Sequence, residues 1–570
     1  MNKDSGVQLQ AAAAWRIRIV WLVLAALLLV VVGRLVQLHL FESEFLKRQG
    51  DVRTLRVEPI PAYRGMITDR HGEPLAVSSP VATLWINPQQ FPADAEVIRQ
   101  VAERLNISSL QLTRRLQRFA SREFMYLQRQ VTPDLAEAVL SLQIPGLYAL
   151  DEYKRYYPSG EVAAHLVGFT NVDEQGQEGL ELAWNHWLEA TPGRKRVLKD
   201  LRGRTIRNLA TLNPPQPGQV LELSLDLRLQ YLAYRELKAA VEQHQAVSGS
   251  LVLLDAKTGE VLAMVNQPSY NPNNRANLNP SGIRNRALVD LIEPGSVIKP
   301  FSIAIALQSG VFDVDDRIDT SPGVMRLAGQ TIRDFRNYGE LSLAGILTHS
   351  SNIGVSRMVL ELPDEMLINY YDSLGFGRAT GTGFPGEASG VLPGSFNISR
   401  IKRATLSYGY GLSMSLGQLA QAYMVLADQG RLHPLSLLKV HEPSSTQIFD
   451  PEVTRQVVAM MERATEPGGT GRRAAIPGYR VAGKTGTVHK LGAQGYGSGD
   501  YLATFAGIAP ASNPRLVAVV MIDSPKGQEY FGGEVAAPVF SRVVGHALRI
   551  LDVPPDNTDP LQNSSVNGEN

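Results

Sequence analysis

Ser296 and Lys299 stand three residues apart in EPGSVIKPFS (293–302), directly behind a Pro-Gly pair and in front of a second proline. A pair of this kind suits acyl transfer. A serine hydroxyl is a poor nucleophile until a neighbouring base takes its proton, and an amine serves as that base once it is neutral. Proline inside a helix deletes a backbone hydrogen bond, yet the first four N–H groups of a helix have no intrahelical acceptor. Pro300 is therefore tolerated if a helix begins at about Ser296, which puts Ser296 and Lys299 on one face at i and i+3, with the lysine in reach of the hydroxyl. Pro294 and Gly295 turn the chain so that Ser296 meets the helix N-terminus, where the backbone dipole favours developing negative charge. A serine N-cap followed by a solvated lysine fits the same ten residues, so the rest of the chain must discriminate.

Two later segments do so. THSSNIG carries Ser350, Ser351 and Asn352, and VAGKTGTVHK carries Lys484, Thr485, Gly486 and Thr487. The ordered set Ser-x-x-Lys, Ser-x-Asn, Lys-Thr-Gly is far more specific than any of its members. Burial and the nearby charge of Lys484 both disfavour the charged form of Lys299. Ser350 is placed to relay the proton to a leaving amine, and Asn352 to hold a substrate amide with one donor and one acceptor. YRVAGKTGTV is β-rich, with glycines where a substrate backbone can approach. Lys484 with the hydroxyls of Thr485 and Thr487 suits a terminal carboxylate.

The elements that position these residues are legible in outline. The chain has 570 residues, enough for roughly three to four domains. Lysine and arginine total 56 against 55 acidic residues, so no overall field favours nucleic acid. Cysteine is absent, which excludes disulfides, thiol catalysis and cysteine-ligated metal. IVWLVLAALLLVVVG (19–33) is uninterrupted apolar sequence, continuing past Arg34 into LVQLHLF. It predicts one transmembrane anchor over 19–41, with residues 1–18 cytoplasmic because Arg16 and Arg18 precede it. Residues 51–220 alternate short β-rich and helical stretches, and NPPQPGQV (213–220) reads as a linker. A second domain over 221–551 opens with a strand-like piece, a long amphipathic helix and two strands joined by Lys-Thr-Gly. The polar tail 552–570 reads as disordered.

With the three signals in order, the chain resembles the class B penicillin-binding proteins, and specifically their septal, division-specific (FtsI-like) members. RGMITDRHGEPLAVSSPVATLW (64–85), RYYPSGEVAAHLVGFTNVDEQGQEGLE (155–181), YGYGLSMS (408–415) and YFGGEVAAPVF (530–540) carry the likeness beside the site residues. It implies an α+β multidomain chain: a single membrane helix, a mixed α/β pedestal of the dimerisation type without enzymatic activity, and a penicillin-binding transpeptidase domain, β-lactamase-like, with an antiparallel sheet flanked by helices. It implies a D,D-transpeptidase in which Ser296 attacks a donor stem peptide ending in D-Ala-D-Ala and an amine acceptor resolves the acyl-serine. The backbone N–H groups of Ser296 and Thr487 form the oxyanion hole, β-lactams mimic the donor, and no cofactor is needed. The same likeness implies an inner-membrane protein with its catalytic domain in the periplasm, and divisome partners including a polytopic glycan polymerase. Ser-Val-Ile-Lys replaces the Ser-Thr-Val-Lys of many septal members; both changed positions lie between the reactive groups.

Competing readings have specific residues behind them. GYRVAGKT (478–485) matches the P-loop spacing in full, but Tyr479, Arg480 and Val481 fill the supposed glycine loop and no helix pattern follows. A β-lactamase would need a glutamate to activate water; Glu365 in DEMLINYYDSLGFG is the candidate, and it also reads as the solvated face of an amphipathic helix. An anchored sensor that is acylated without turnover keeps the same serine. The histidines show no metal-ligand spacing, so no metal is expected, and His489 reads as a groove-lining residue. Arg64, Asp69 and Arg70 read as inter-segment ion pairs, and Arg155, Tyr156 and Tyr157 as residues packing on a neighbouring domain.

Overall fold

The computed structural model describes residues 6–200, 205–276, 278–394, 398–492 and 495–557. Residues 1–5 of the expected cytoplasmic segment and 558–570 of the expected tail lie outside these. One compact unit comprises residues 1–62 and 191–217, and a second comprises 63–190 and 218–570.

In the first unit the helix Gly6–Val36 starts well before the expected anchor and continues into a π-turn over Gln37–Phe41. Trp15–Phe41, 27 residues containing an 18-residue stretch of mean hydropathy 2.8, is long and apolar enough to cross a membrane. At about 1.5 Å per residue it reaches about 40 Å, beyond the ~30 Å of a hydrocarbon core. Arg34, the charge that interrupts it, extends toward the carboxylate of Glu42 at 3.6 Å. After the helix Ser43–Thr54, strand Leu55–Ile60 pairs antiparallel with Gly193–Lys199, which pairs with Thr205–Asn213. The pedestal expected over 51–220 is therefore divided: its first and last strands close a separate small sheet, because strand pairing is set by register and not by nearness in sequence.

In the second unit, residues 63–190 build a lobe on strands Pro74–Ile86, Met125–Val131 and Leu147–Tyr156. Amphipathic helices Ala95–Leu105, Ser109–Arg118 and Pro133–Leu140 cover one sheet face around Leu84, Ile86 and Val101. Beside it, Glu181 is fully buried between Arg64 at 2.7 Å and Arg155 at 2.6 Å. Arg70 pairs with Glu260 at 3.2 Å, whereas Asp69 takes part in no ion pair among the described residues and accepts the N–H groups of His71, Glu73 and Leu227. Tyr157 rests on the following domain through Asn273, while Tyr156 is exposed.

That following domain runs α1 (Leu227–Gln243), β1 (Ser248–Asp255), β2 (Val261–Gln267), α2 (Lys299–Gln308), α3 (Leu343–His349), α4 (Asn352–Glu361), α5 (Leu416–Ala427), β3 (Ala482–Gly492), β4 (Gly495–Ala509), β5 (Leu516–Asp523) and α6 (Ala537–Ile550). The strands form one antiparallel sheet in the order β2-β1-β5-β4-β3. Every residue of β1 is buried. Leu251 and Leu253 face a core with α1 and α6, and Val252 and Leu254 face one with α2 and α5, so both faces are covered. Strands buried on both faces read as continuous apolar runs, which is what SGSLVLLD and LVAVVMID are. The chain does not end its order at 551. Residues 553–557 strap the domain: Val553 O accepts from the Tyr479 hydroxyl at 2.6 Å, Asp556 accepts from Arg480 N and Ser512, and Asn557 N donates to Gly478 O. The expected disorder is thus contradicted up to Asn557.

Candidate active site

The segment around Ser296 begins in a tight 3₁₀ turn, Gly295–Ile298, and only at Lys299 becomes the α-helix α2, with Pro300 in its first turn. The helix expected from Ser296 thus starts three residues late, and the turn takes the strain. Gly295 has φ +60°, and its N–H donates to Gly409 O at 3.1 Å. The Tyr423 hydroxyl donates to Val297 O at 2.7 Å, satisfying a carbonyl of the turn. Between Pro294 and Ala306, Ser296 is the one residue that is not buried.

Lys299 is fully buried and directed at the start of α4. Its Nζ donates to Ser350 O at 2.6 Å, Ser350 Oγ at 3.0 Å and Asn352 Oδ1 at 2.8 Å. No hydrogen bond joins Lys299 to Ser296 among the described residues. The lysine expected at Ser296 is held instead by the Ser-x-Asn motif. Ser350 ends α3 in the left-handed conformation, φ +55°, which turns both its carbonyl and its hydroxyl toward Nζ. Such a backbone is uncommon outside glycine and persists where surrounding contacts enforce it.

β3 is the edge strand of the sheet. Lys484 projects from it, fully buried, with Nζ 3.1 Å from Ser350 Oγ and 3.1 Å from Thr485 O. Gly486 backs onto the Ser296 turn, where an added Cβ would lie 3.1 Å from Val297 and 3.2 Å from Pro294 O. Thr485 is buried and its hydroxyl donates to Thr470 Oγ1 at 3.0 Å. Thr487 Oγ1 accepts from Gly532 N at 3.0 Å, which leaves its own proton to donate outward. From Val481 to Val488, Thr487 is the one residue that is not buried. Ser296 and Thr487 are the two open positions of otherwise closed segments.

The electrostatics follow from this burial. Desolvation first, then the charge of Lys484, hold the Lys299 ammonium well below the ordinary lysine range, against an opposing pull from the Asp334 carboxylate. Burial brings Lys484 down to about 7. A hydroxyl has one proton to give and lone pairs to accept with, so Ser350 can take a hydrogen bond from a charged Lys484 while giving one to a neutral Lys299. The arrangement offers a hydrogen-bonded chain from Lys484 through Ser350 to Lys299.

Residues outside the motifs also build the site. Asp334 accepts from Asn352 N at 2.6 Å, Ile353 N at 3.0 Å and the Ser351 hydroxyl. Thr470 supports Thr485, and Gly409 lets the 408–411 segment meet the Ser296 turn at Gly295. Of these only Gly409 lay in a quoted motif; a single aspartate and a single threonine in loops carry no spacing signal. His489 is exposed and lies against the Tyr501 ring at 4.5 Å. Glu365 is exposed at the start of a helix, and the supposed P-loop lysine sits within a strand. No group of three or more potential metal ligands occurs among the described residues.

Residues 249–545 match the family described as penicillin binding protein transpeptidase domain, and residues 59–223 the penicillin-binding protein dimerisation domain. The chain is a penicillin-binding protein. This penicillin-binding protein is 45% identical over 530 residues to the probable peptidoglycan D,D-transpeptidase PbpC of Pseudomonas aeruginosa, covering 93% of this chain and 94% of that one. It is 44% identical over 550 residues to the peptidoglycan D,D-transpeptidase FtsI of Escherichia coli K12, covering 95% and 93%. Among solved structures, the transpeptidase domain of Burkholderia pseudomallei penicillin-binding protein 3 matches 59% of this chain and 98% of its own with TM-score 0.55 at 42% identity. A peptidoglycan synthetase of Bifidobacterium adolescentis matches 89% of this chain and 98% of its own with TM-score 0.70 at 25% identity. The class B, septal-type likeness read from the motifs stands with these relatives.

Proposed function

We propose that this penicillin-binding protein is a peptidoglycan D,D-transpeptidase of septal cell-wall synthesis, with Ser296 as nucleophile. The observation that carries the mechanism is the Ser350 hydroxyl held between the buried Nζ atoms of Lys299 and Lys484. Ser296 Oγ attacks the penultimate D-Ala carbonyl of a donor stem while Lys299 takes its proton. The tetrahedral oxyanion is received by the backbone N–H groups of Ser296 and Thr487; loss of one such donor costs about 10² to 10³ in rate. The C–N bond then breaks, and the proton returns through Ser350 to the departing D-Ala amine. An acceptor amine attacks the acyl-serine, gives its proton to Lys299, and Ser296 leaves reprotonated. Asn352 holds the donor amide, and Lys484, Thr485, Gly486 and Thr487 line the strand that receives its carboxylate. β-Lactams enter as donor mimics.

The N-terminal helix fits a single inner-membrane anchor, with the catalytic domain facing the periplasm and divisome proteins, among them a glycan polymerase, as partners. Charge reversals at exposed positions of residues 51–220 that left complex formation intact would remove the support for that partner.

The deciding experiment is intact mass after benzylpenicillin for the wild type, Ser296→Ala and Lys299→Ala, followed over hours. A stable adduct on the wild type and none on Ser296→Ala is expected. An adduct lost within seconds would support a hydrolase instead. Stable acylation without transfer from a stem-peptide donor to an amine would support a sensor.

A further inference from the structure

Lys299 does not hold the Ser-x-Asn motif by itself. The chain at 350–353 leaves α3 through a left-handed Ser350 and immediately starts α4 at Asn352, so three groups there need partners: the N–H of Asn352, the N–H of Ile353 and the hydroxyl of Ser351. All three go to one side chain. Asp334 Oδ1 accepts from Asn352 N at 2.6 Å and from Ile353 N at 3.0 Å, and Oδ2 accepts from Ser351 Oγ. Ser351 in turn accepts from Gly354 N at 2.9 Å as the N-cap of α4, and Asn352 Nδ2 reaches Arg333 O at 3.2 Å. Asp334 follows the hairpin Val324–Leu327/Gln330–Arg333, and its own N–H donates to Gly323 O, so the carboxylate is presented from a braced loop.

We propose that Asp334 is a positioning residue of the transpeptidase reaction: it fixes Ser350 and Asn352 so that their oxygens converge on Lys299 Nζ, and it places a negative charge beside that lysine. The inference rests on the reading of Ser296 as nucleophile and Lys299 as its base. Carboxylates at a helix N-terminus satisfy orphan N–H groups and complement the helix dipole, so a neutral replacement weakens the anchoring on both counts. The anchoring reaches the chemistry through Ser350 and Asn352, which supply all three acceptors of Lys299. The charged groups acting on Lys299 are Lys484 from β3 and Asp334 from the hairpin loop. Taking away the Asp334 charge leaves Lys484 unopposed, so neutral Lys299 persists to lower pH.

The test is the second-order rate of acylation by a fluorescent penicillin across about pH 5 to 10, on the full chain in detergent, for the wild type, Asp334→Ala and Asp334→Asn. Asp334→Ala is expected to lose about 10²-fold in rate on the plateau above the rising limb, the size of effect that misplacement by an ångström produces. Asp334→Asn keeps an acceptor oxygen, so it is expected to retain more activity and to move the rising limb of the profile to lower pH. A limb that stays in place in Asp334→Asn overturns the proposal, whether its rate is reduced, as for a merely structural residue, or unchanged. If Asp334→Ala does not fold, Asp334→Asn decides alone. Failure of the wild type to be labelled on Ser296 would instead remove the underlying reading, which separates the two.

Discussion

Lys299 and Lys484 meet on one oxygen: their Nζ atoms lie 3.0 Å and 3.1 Å from Ser350 Oγ. Two cations cannot both stay charged at that separation in a buried pocket, and both lysines are pushed below the ordinary range. A neutral lysine beside the Ser350 hydroxyl is the form that can accept a proton.

Ser350→Ala removes that oxygen and leaves both lysines folded into place. Acylation of Ser296 by benzylpenicillin is expected to fall by about 10² to 10⁴, the range of a lost proton-transfer partner. Rapid-quench mass spectrometry of the adduct measures it; a loss under about threefold would show that the proton travels by another route.

Lys484 also links stability to pH. With a folded value of about 7 against about 10.4 in an unfolded chain, the unfolded state holds more proton between these values. Stability contributed at this site therefore rises with pH from about 7 to about 10 and is flat below, with a slope of at most about 1.4 kcal/mol per pH unit. Lys484→Met is expected to lose that rise. Urea midpoints of wild type and variant at several pH values give the comparison.

At Gly409, φ is +88° and an added Cβ would lie 2.2 Å from Gly295 O. Gly409→Ala is expected to displace the turn at Gly295 and Ser296, with a loss of about 10²-fold in acylation rate. The same rate as wild type would mean that the 408–411 segment yields instead of the turn.

Far from the site, Glu181→Ala leaves Arg64 and Arg155 buried without their carboxylate, a change expected to cost about 3–5 kcal/mol. Trp184 and Trp187 lie in the same lobe, so tryptophan fluorescence during urea unfolding reports it. An unaltered midpoint would place water, not carboxylate, as the partner of the two guanidinium groups.

That Lys299, Ser350, Asn352 and Lys484 come together was legible because they are polar residues in short fixed spacings, within segments that otherwise read as core. The apolar, β-rich stretches of β1, β2 and β3 were legible for the same reason: β1 and β2 are buried along their whole length. Asp334 and Thr470 were not legible, since each is one ordinary residue that a loop carries to the site. Nor was the division of the pedestal, which depends on Leu55–Ile60 finding a partner in Gly193–Lys199, a pairing that no local pattern encodes. The order at 553–557 was hidden by its composition: Asp556 is held by the backbone of Arg480 and by Ser512, partners that polarity alone does not reveal.

Around Ser296 the close approaches are made by glycines: Gly409 meets the main chain of Gly295, Gly486 meets Val297 and Pro294 O, and Gly295 itself meets Val488. A larger residue at any of the three has to displace a neighbour of Ser296. If Ser296 is the acylated residue, the positions free to vary without displacing it are exposed side chains such as Phe335, 93% exposed beside Asp334, and His489, two residues past Thr487.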